Sequence, residues 1–175
     1  EDEKGRTGLW QNFAMDGKTV TTSGFYRNDW RDGRWEFRDA AGAIVQTMEY
    51  RPEPRRNFGF LITTDYGNEN GPYRRYFPDG SLEEEGQFLS GYYEGILKRF
   101  HRNGELALEG RLEKDQAVGL WKSYYASGKL YREAHYKDGK LDGRLRIYDP
   151  DGSLKYSTVY AAGQKIGPDE LIRRP

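Results

Sequence analysis

The chain has 175 residues, enough for one ordinary domain, with 28 Lys and Arg balanced by 28 Asp and Glu and no Cys. Zero formal charge argues against nucleic acid, which selects basic surfaces, and weakens a case for anionic lipid. The missing Cys excludes disulfides, thiolate metal ligands and Cys nucleophiles. Mean hydropathy is −1.00, so the aliphatic core is thin, yet 14 Tyr, 8 Phe and 4 Trp are more aromatic rings than a disordered chain carries. No apolar run is long enough to span a membrane.

The start, Glu1-Asp2-Glu3-Lys4, has no initiator Met and no signal peptide, and reads as a processed mature end or a trimmed boundary. Gly8 opens a first unit, GLWQNFAMDGKTVTTSGFY, and Gly33 a second, GRWEFRDAAGAIVQTMEY, after a step of 25 residues. The prolines of Arg51-Pro52-Glu53-Pro54-Arg55-Arg56 bar a central strand. They open an insertion, 51–70, that contains the apolar run FGFLITT from Phe58. From Gly71 the spacing is strict: Gly71, Gly95, Gly119, Gly143 and Gly167 lie 24 residues apart, and Gly80, Gly104, Gly128 and Gly152 keep the same step. Two glycine series with one period define a repeat array. The repeats fall near 8–32, 33–50, 71–94, 95–118, 119–142 and 143–166, in a single repeat domain ending in a C-terminal cap, 167–175. The cap reads as a short helical turn or an extended segment.

Each unit holds two short runs of alternating aromatic or aliphatic and polar residues, the pattern of half-buried strands. They are joined by turn signals such as Pro78-Asp79-Gly80, Arg102-Asn103-Gly104 and Pro150-Asp151-Gly152. A two-residue turn at Asp79-Gly80 and its equivalents sets Tyr73 opposite Gly86, Leu97 opposite Gly110, Trp121 opposite Ala134 and Leu145 opposite Thr158. On the other face it sets Arg74 against Glu85, Lys98 against Glu109 and Lys122 against Glu133. A three-residue turn with a bulge would shift this register.

The pattern Gly-x-Trp/Tyr-x-x-Tyr/Phe, Asp/Asn-Gly-x-Leu, then a polar strand ending in Tyr or Phe, resembles the MORN repeat, and most closely its bacterial, antitoxin-like variant. The best match runs from Gly119-Leu120-Trp121 to Asp138-Gly139-Lys140. The resemblance implies an all-β fold, an elongated single-layer antiparallel β-meander of about six hairpin repeats. It also implies a scaffolding or binding role with no catalytic motif.

Among candidate functional residues, His101 and His135 lack the converging partners of a metal or triad site and read as surface or hydrogen-bonded structural residues. Glu83-Glu84-Glu85 fits alternating strand polarity, and Asp149 and Asp151 fit local turn bonding. More informative is the row Tyr76, Phe100, Tyr124 and Tyr148, on the face opposite Tyr73, Leu97, Trp121 and Leu145. It either packs along the repeat axis or forms a Tyr-rich groove suited to a protein partner. The insertion, with Phe58, Phe60 and Tyr66, is a second candidate patch, because insertions in repeat arrays often map to the binding face.

The expected function is that of a non-enzymatic antitoxin or immunity protein that covers a protein toxin or secreted effector, with no cofactor, no metal and no nucleic acid. A membrane-surface scaffold is the alternative, disfavoured by the neutral charge, and a carbohydrate-binding or hydrolytic protein is the third reading. The expected place is the bacterial envelope or periplasm, with the cytoplasm as the alternative.

Overall fold

The computed structural model describes residues 5–51 and 69–171. No helix occurs among them; the chain is all-β, and its strands follow one another as an antiparallel meander. It forms two compact units, the first comprising residues up to Ser81 with Gln87–Tyr92, the second Leu82–Gly86 with Tyr93 onward.

In the first unit β1 (Gly8–Phe13), β2 (Val20–Arg27), β3 (Trp30–Arg38), β4 (Ile44–Tyr50) and β5 (Glu69–Tyr76) each pair with the next. The residues of β6 (Leu82–Leu89) and β7 (Tyr92–Tyr93) are divided between the units. The second unit continues with β8 (Gly95–Phe100), β9 (Leu106–Glu113), β10 (Gln116–Tyr124), β11 (Leu130–Lys137), β12 (Lys140–Tyr148) and β13 (Leu154–Ala161). Its C-terminal cap is the extended form: β14 (Gln164–Lys165) and β15 (Glu170–Leu171) both pair with β13.

The hairpin turns differ from the two-residue loop expected from sequence, yet the register is as expected. In the β8–β9 hairpin the Gly104 N–H donates to the His101 carbonyl and the His101 N–H to the Glu105 carbonyl, both at 2.8 Å. The loop is therefore three residues, Arg102 to Gly104, with Gly104 at φ 85°. Arg99 pairs with Leu108 but Phe100 with Leu106, so Ala107 is a bulge. The longer loop and the bulge each shift the ladder by one and cancel. Leu97 consequently faces Gly110, Trp121 faces Ala134, Leu145 faces Thr158, and Lys98 and Lys122 face Glu109 and Glu133. In the first unit the residue that lengthens the 25-residue step sits in the turn. Ala14 N–H donates to Thr19 O, enclosing four residues, and the Asp16 carboxylate holds them by accepting from the Lys18 and Thr19 N–H groups at 2.9 Å.

Successive repeats are joined by two-residue turns in which both residues have positive φ, as in Lys114-Asp115 (49° and 66°) and Ala162-Gly163 (48° and 85°). These type I′ turns match the twist of the flanking strands. The N–H of the second turn residue reaches back to the preceding repeat: Asp115 to Tyr93 O, Gly139 to Ala117 O, Gly163 to Leu141 O. Asp29, at the same place in the first unit, donates to Arg6 O.

In each unit the core is a stripe along one face of its strands. At the leading glycines the outgoing strand bulges. Val118 pairs with Arg111 and Lys122 with Glu109, so Gly119 to Trp121 together oppose Gly110. Positive φ at Gly119 (70°) allows that kink, which lays Trp121 across Gly110 of the preceding repeat as well as beside Ala134 of its own. Trp35 lies across Gly24 in the same way and is 1% exposed. Tyrosines two positions beyond the residues that meet the tryptophans (Gly24, Met48 and Ala134) close the stripe with edge-on rings, Tyr26–Trp35 at 5.0 Å, Trp35–Tyr50 at 6.3 Å and Trp121–Tyr136 at 6.0 Å. Such pairs contribute about 0.5–1.5 kcal/mol each beyond their buried area.

Glu84 departs from the solvated strand polarity expected of Glu83-Glu84-Glu85. It is 2% exposed on the core face. Arg99 Nε donates to its carboxylate at 2.5 Å and the Tyr93 hydroxyl at 3.3 Å. These donors compensate part of the desolvation that a buried carboxylate suffers.

Candidate binding face

The face of the second unit opposite the core stripe has three lanes. The middle lane is ionic. Cross-strand neighbours run Glu85, Lys98, Glu109, Lys122, Glu133, Arg146, one charge on each of β6, β8, β9, β10, β11 and β12, with the sign changing at every step. The within-hairpin pairs Lys98–Glu109 and Lys122–Glu133 were legible in the sequence; the pairings between repeats join them into one ladder. Arg146 and Glu133 are 3.4 Å apart in it.

The lane toward the hairpin turns carries Phe100, Tyr124 and Tyr148, all half-buried. The Tyr124 hydroxyl donates to Glu109 and the Tyr148 hydroxyl to Glu133, each at 2.8 Å. Burial, then the hydrogen bond to Glu109 and the charges of Glu109 and Glu133, push Tyr124 up to about 12. Tyr148 is raised by burial and then by its bond to Glu133. Both phenols are thus held neutral as donors, with their rings fixed over the ladder.

The lane toward the leading glycines is apolar and open. Ile96 is 54% exposed and Leu120 39%. With Val118 they line a shallow depression of about 310 Å³, rimmed by Glu109, Arg111 and Lys122. These residues were not singled out in the sequence, where x in Gly-x-Trp reads only as an outward strand position.

The remaining expected site residues fall as follows. Tyr76 is half-buried at the end of β5, in the first unit. Phe58, Phe60 and Tyr66 lie outside the described residues. His101 and Tyr125, equivalent positions one repeat apart, reach the next repeat. His101 Nε2 donates to Tyr124 O at 2.9 Å, and the Tyr125 hydroxyl donates to Tyr148 O at 2.8 Å. His135 is exposed, its Nδ1 3.4 Å from Arg144 O. Asp151 accepts from the Ser153 N–H and hydroxyl inside its turn, and Asp149 lies 3.4 Å from Lys155. No group of three or more His, Asp or Glu that could hold a metal ion occurs among the described residues. No helix among them is long and apolar enough to cross a membrane.

Three stretches, 69–89, 117–138 and 141–162, match the model of the MORN repeat variant. Those three stretches are MORN-type repeats. No curated protein matches the chain. Among solved structures it is similar to an S. aureus TarM mutant in complex with fondaparinux, alpha-GlcNAc-glycerol and UDP, at 10% identity and TM-score 0.36, over 55% of this chain and 19% of that one. A second TarM structure gives 10% identity and TM-score 0.36, over 57% and 20% of the two chains. A GtfA/B complex bound to UDP and GlcNAc gives 12% and 0.28, over 71% and 27%. The chain thus spans between a fifth and about a quarter of their lengths, and similarity this low carries no functional argument.

Proposed function

We propose that this chain is a non-enzymatic, protein-binding repeat protein that acts as an antitoxin or immunity protein, covering a protein toxin or secreted effector with the three-lane face of its second unit. The observation that carries this reading is the pairing of half-buried aromatic rings (Phe100, with Tyr124 and Tyr148 pinned by their hydroxyls) with exposed aliphatic side chains (Ile96, Leu120) across one charge ladder. Rigid aromatic and apolar groups beside ordered charges are what protein interfaces use for anchoring and register. With their hydroxyls bonded to Glu109 and Glu133, the tyrosines offer ring surface, at little entropic cost because the rings are already fixed. The ladder alternates in sign and has no basic field to draw in anionic lipid, which favours a protein partner over a membrane surface. The bacterial envelope is the proposed place of action, where a Cys-free chain folds without regard to redox state.

The test co-expresses candidate toxins with the parent chain, with an Ile96→Ala/Leu120→Ala double variant, and with Tyr124→Ala and Tyr148→Ala. Protection should fall in the variants while their circular dichroism stays that of the parent. Protection unchanged in all of them moves the interface off this face. Specific binding to anionic vesicles with no bound toxin replaces the reading with a membrane scaffold.

A further inference from the structure

Lys122 stands on the charge ladder between Glu109 of β9 and Glu133 of β11, yet no carboxylate among the described residues comes within 4.0 Å of its ammonium group. The tyrosine lane is the cause. Glu109 accepts from the Tyr124 hydroxyl at 2.8 Å, and Glu133 accepts from the Tyr148 hydroxyl at 2.8 Å and lies 3.4 Å from Arg146. Both carboxylates are thereby drawn toward the hairpin turns. A lysine that a sign-alternating ladder should neutralise keeps its charge uncompensated. It does so beside the open apolar lane, since Leu120 lies two residues before it on the same face of β10.

The other side of the depression repeats the arrangement in weaker form. Arg111 lies across from Ile96 and from Val118, so Arg111 and Lys122 flank Leu120 along β10, one to each side. Arg111 has a carboxylate, that of Glu113 at 3.1 Å, but both side chains are about half exposed. A surface pair of this kind holds weakly and can exchange its carboxylate for another. Between the two cations the floor is Ile96, Val118 and Leu120, with no side chain on Gly110 or Gly119. Acidic side chains stand on the same face, so the two cations act at contact and make no field that reaches far into solvent.

We propose that the depression takes an acidic apolar anchor of the protein partner. A large apolar side chain sits over Ile96, Val118 and Leu120, with a carboxylate two residues to each side, one on Lys122 and one on Arg111. An extended segment places residues i−2, i and i+2 on one face, the spacing that Leu120 and Lys122 themselves have. The apolar side chain anchors the segment, while the two carboxylates fix its register and reject neutral or basic segments of the same shape. This inference rests on the reading of the three-lane face as the protein-binding face and adds the chemistry of what it binds.

The probe is the peptide acetyl-Glu-Ser-Phe-Ser-Glu-amide, titrated into the full chain while the methyl shifts of Ile96, Val118 and Leu120 are followed by NMR. Saturable shifts at these three residues are expected. The peptide with Gln in place of both Glu should bind about fivefold more weakly, and the one with Lys more weakly still, with the gap shrinking at high salt. Lys122→Gln and Arg111→Gln in the chain should each narrow the gap between the Glu and Gln peptides to about twofold. Tyr124→Phe should narrow it too, although its hydroxyl does not meet the peptide, because Glu109 can then turn to Lys122. The comparison of peptides on the parent chain needs no variant, so it decides the matter even where a variant fails to fold. No binding, equal binding of the Glu and Gln peptides, or shifts confined to other residues would each overturn the proposal. So would phosphatidylserine vesicles that move these methyl groups when the Glu peptide does not, since lipid would then be the occupant. If the proposal fails while protection is still lost in the Ile96→Ala/Leu120→Ala variant, the face binds a protein of other chemistry and the proposed function stands.

Discussion

Trp121 rests its indole directly on Gly110 of the preceding repeat, where a Cβ would stand 2.0 Å from Cδ2. Gly24 meets Trp35 the same way at 2.2 Å, whereas at Gly86 the nearest atom is Leu97 Cδ1 at 3.3 Å. The step from one repeat to the next is therefore set by a large ring on a missing side chain at some junctions and by a flexible aliphatic group at others. Gly110→Ala should destabilise by about 1–3 kcal/mol or more, the range for overpacking a core. Gly86→Ala should cost clearly less, since a leucine methyl can move by a few tenths of an ångström. Denaturant melts of the two variants check the ordering, and equal losses would refute this account of the junction.

Much of this was legible in the sequence, for a physical reason. Positive φ and close approach both select glycine, so Gly119 and Gly128 and their 24-residue relatives expose the period directly. Large-against-small and opposite-charge pairs then fix the register within each hairpin. Three things were hidden. The compensating bulge, as at Ala107, has no residue preference that marks it. The joining turns are a third periodic series, but it is masked where Asp115 takes a conformation that Gly139 and Gly163 take more easily. Partners between repeats also depend on the two-residue offset at the leading glycines, so the continuous ladder from Glu85 to Arg146 and the burial of Glu84 could not be read from single hairpins. The same holds for the binding face. Its tyrosine lane was found by period, and its open lane, Ile96 and Leu120, needed the bulge geometry.

Tyr124 makes the charge ladder visible to pH. Its folded value, about 12, lies above the ordinary 10.0. A raised value means that the neutral phenol is favoured in the folded chain. Its contribution to stability is fully present below pH 10 and is lost as pH climbs through 12. Ultraviolet titration of tyrosinate should show a component that ionises late. Tyr124→Phe should remove part of it, and Glu109→Gln should move it earlier. If the late component is the same in all three proteins, the Tyr124–Glu109 bond does not hold in solution.

Glu84 predicts an asymmetry among arginines that look alike in sequence. Arg99 serves a carboxylate that is 2% exposed, whereas Arg111 pairs with Glu113, whose side chain is 52% exposed. Removing Arg99 leaves a buried charge with one fewer donor. Because Arg99 itself is half-exposed and water can enter in its place, Arg99→Ala should cost about 1–3 kcal/mol, below the full penalty for breaking a buried pair. Arg111→Ala should change stability by about 0.5 kcal/mol or less. Thermal melts at matched salt decide between the two, and indistinguishable variants would mean that Glu84 is not held as described.

The joining turns offer a stabilising change. Ala162 has φ 48° beside Gly163, where Asn28, Ser90, Lys114 and Asp138 hold the equivalent place in other turns. A left-handed residue with a Cβ costs roughly 1–2 kcal/mol unless its side chain can bond locally, which Asn and Asp do and Ala does not. Ala162 is exposed, and its N–H is already held by Asp142 Oδ2 at 3.0 Å, so the backbone need not move to accept a longer side chain. Ala162→Asn should therefore raise stability by about 0.5–1 kcal/mol, within the range that turn and cap optimisation commonly gives. Ala162→Val should lower it, because a β-branched residue resists positive φ. Urea midpoints at unchanged slope are the measurement. Asn no better than Ala, or Val equal to both, would mean that this turn does not carry the strain its dihedral implies.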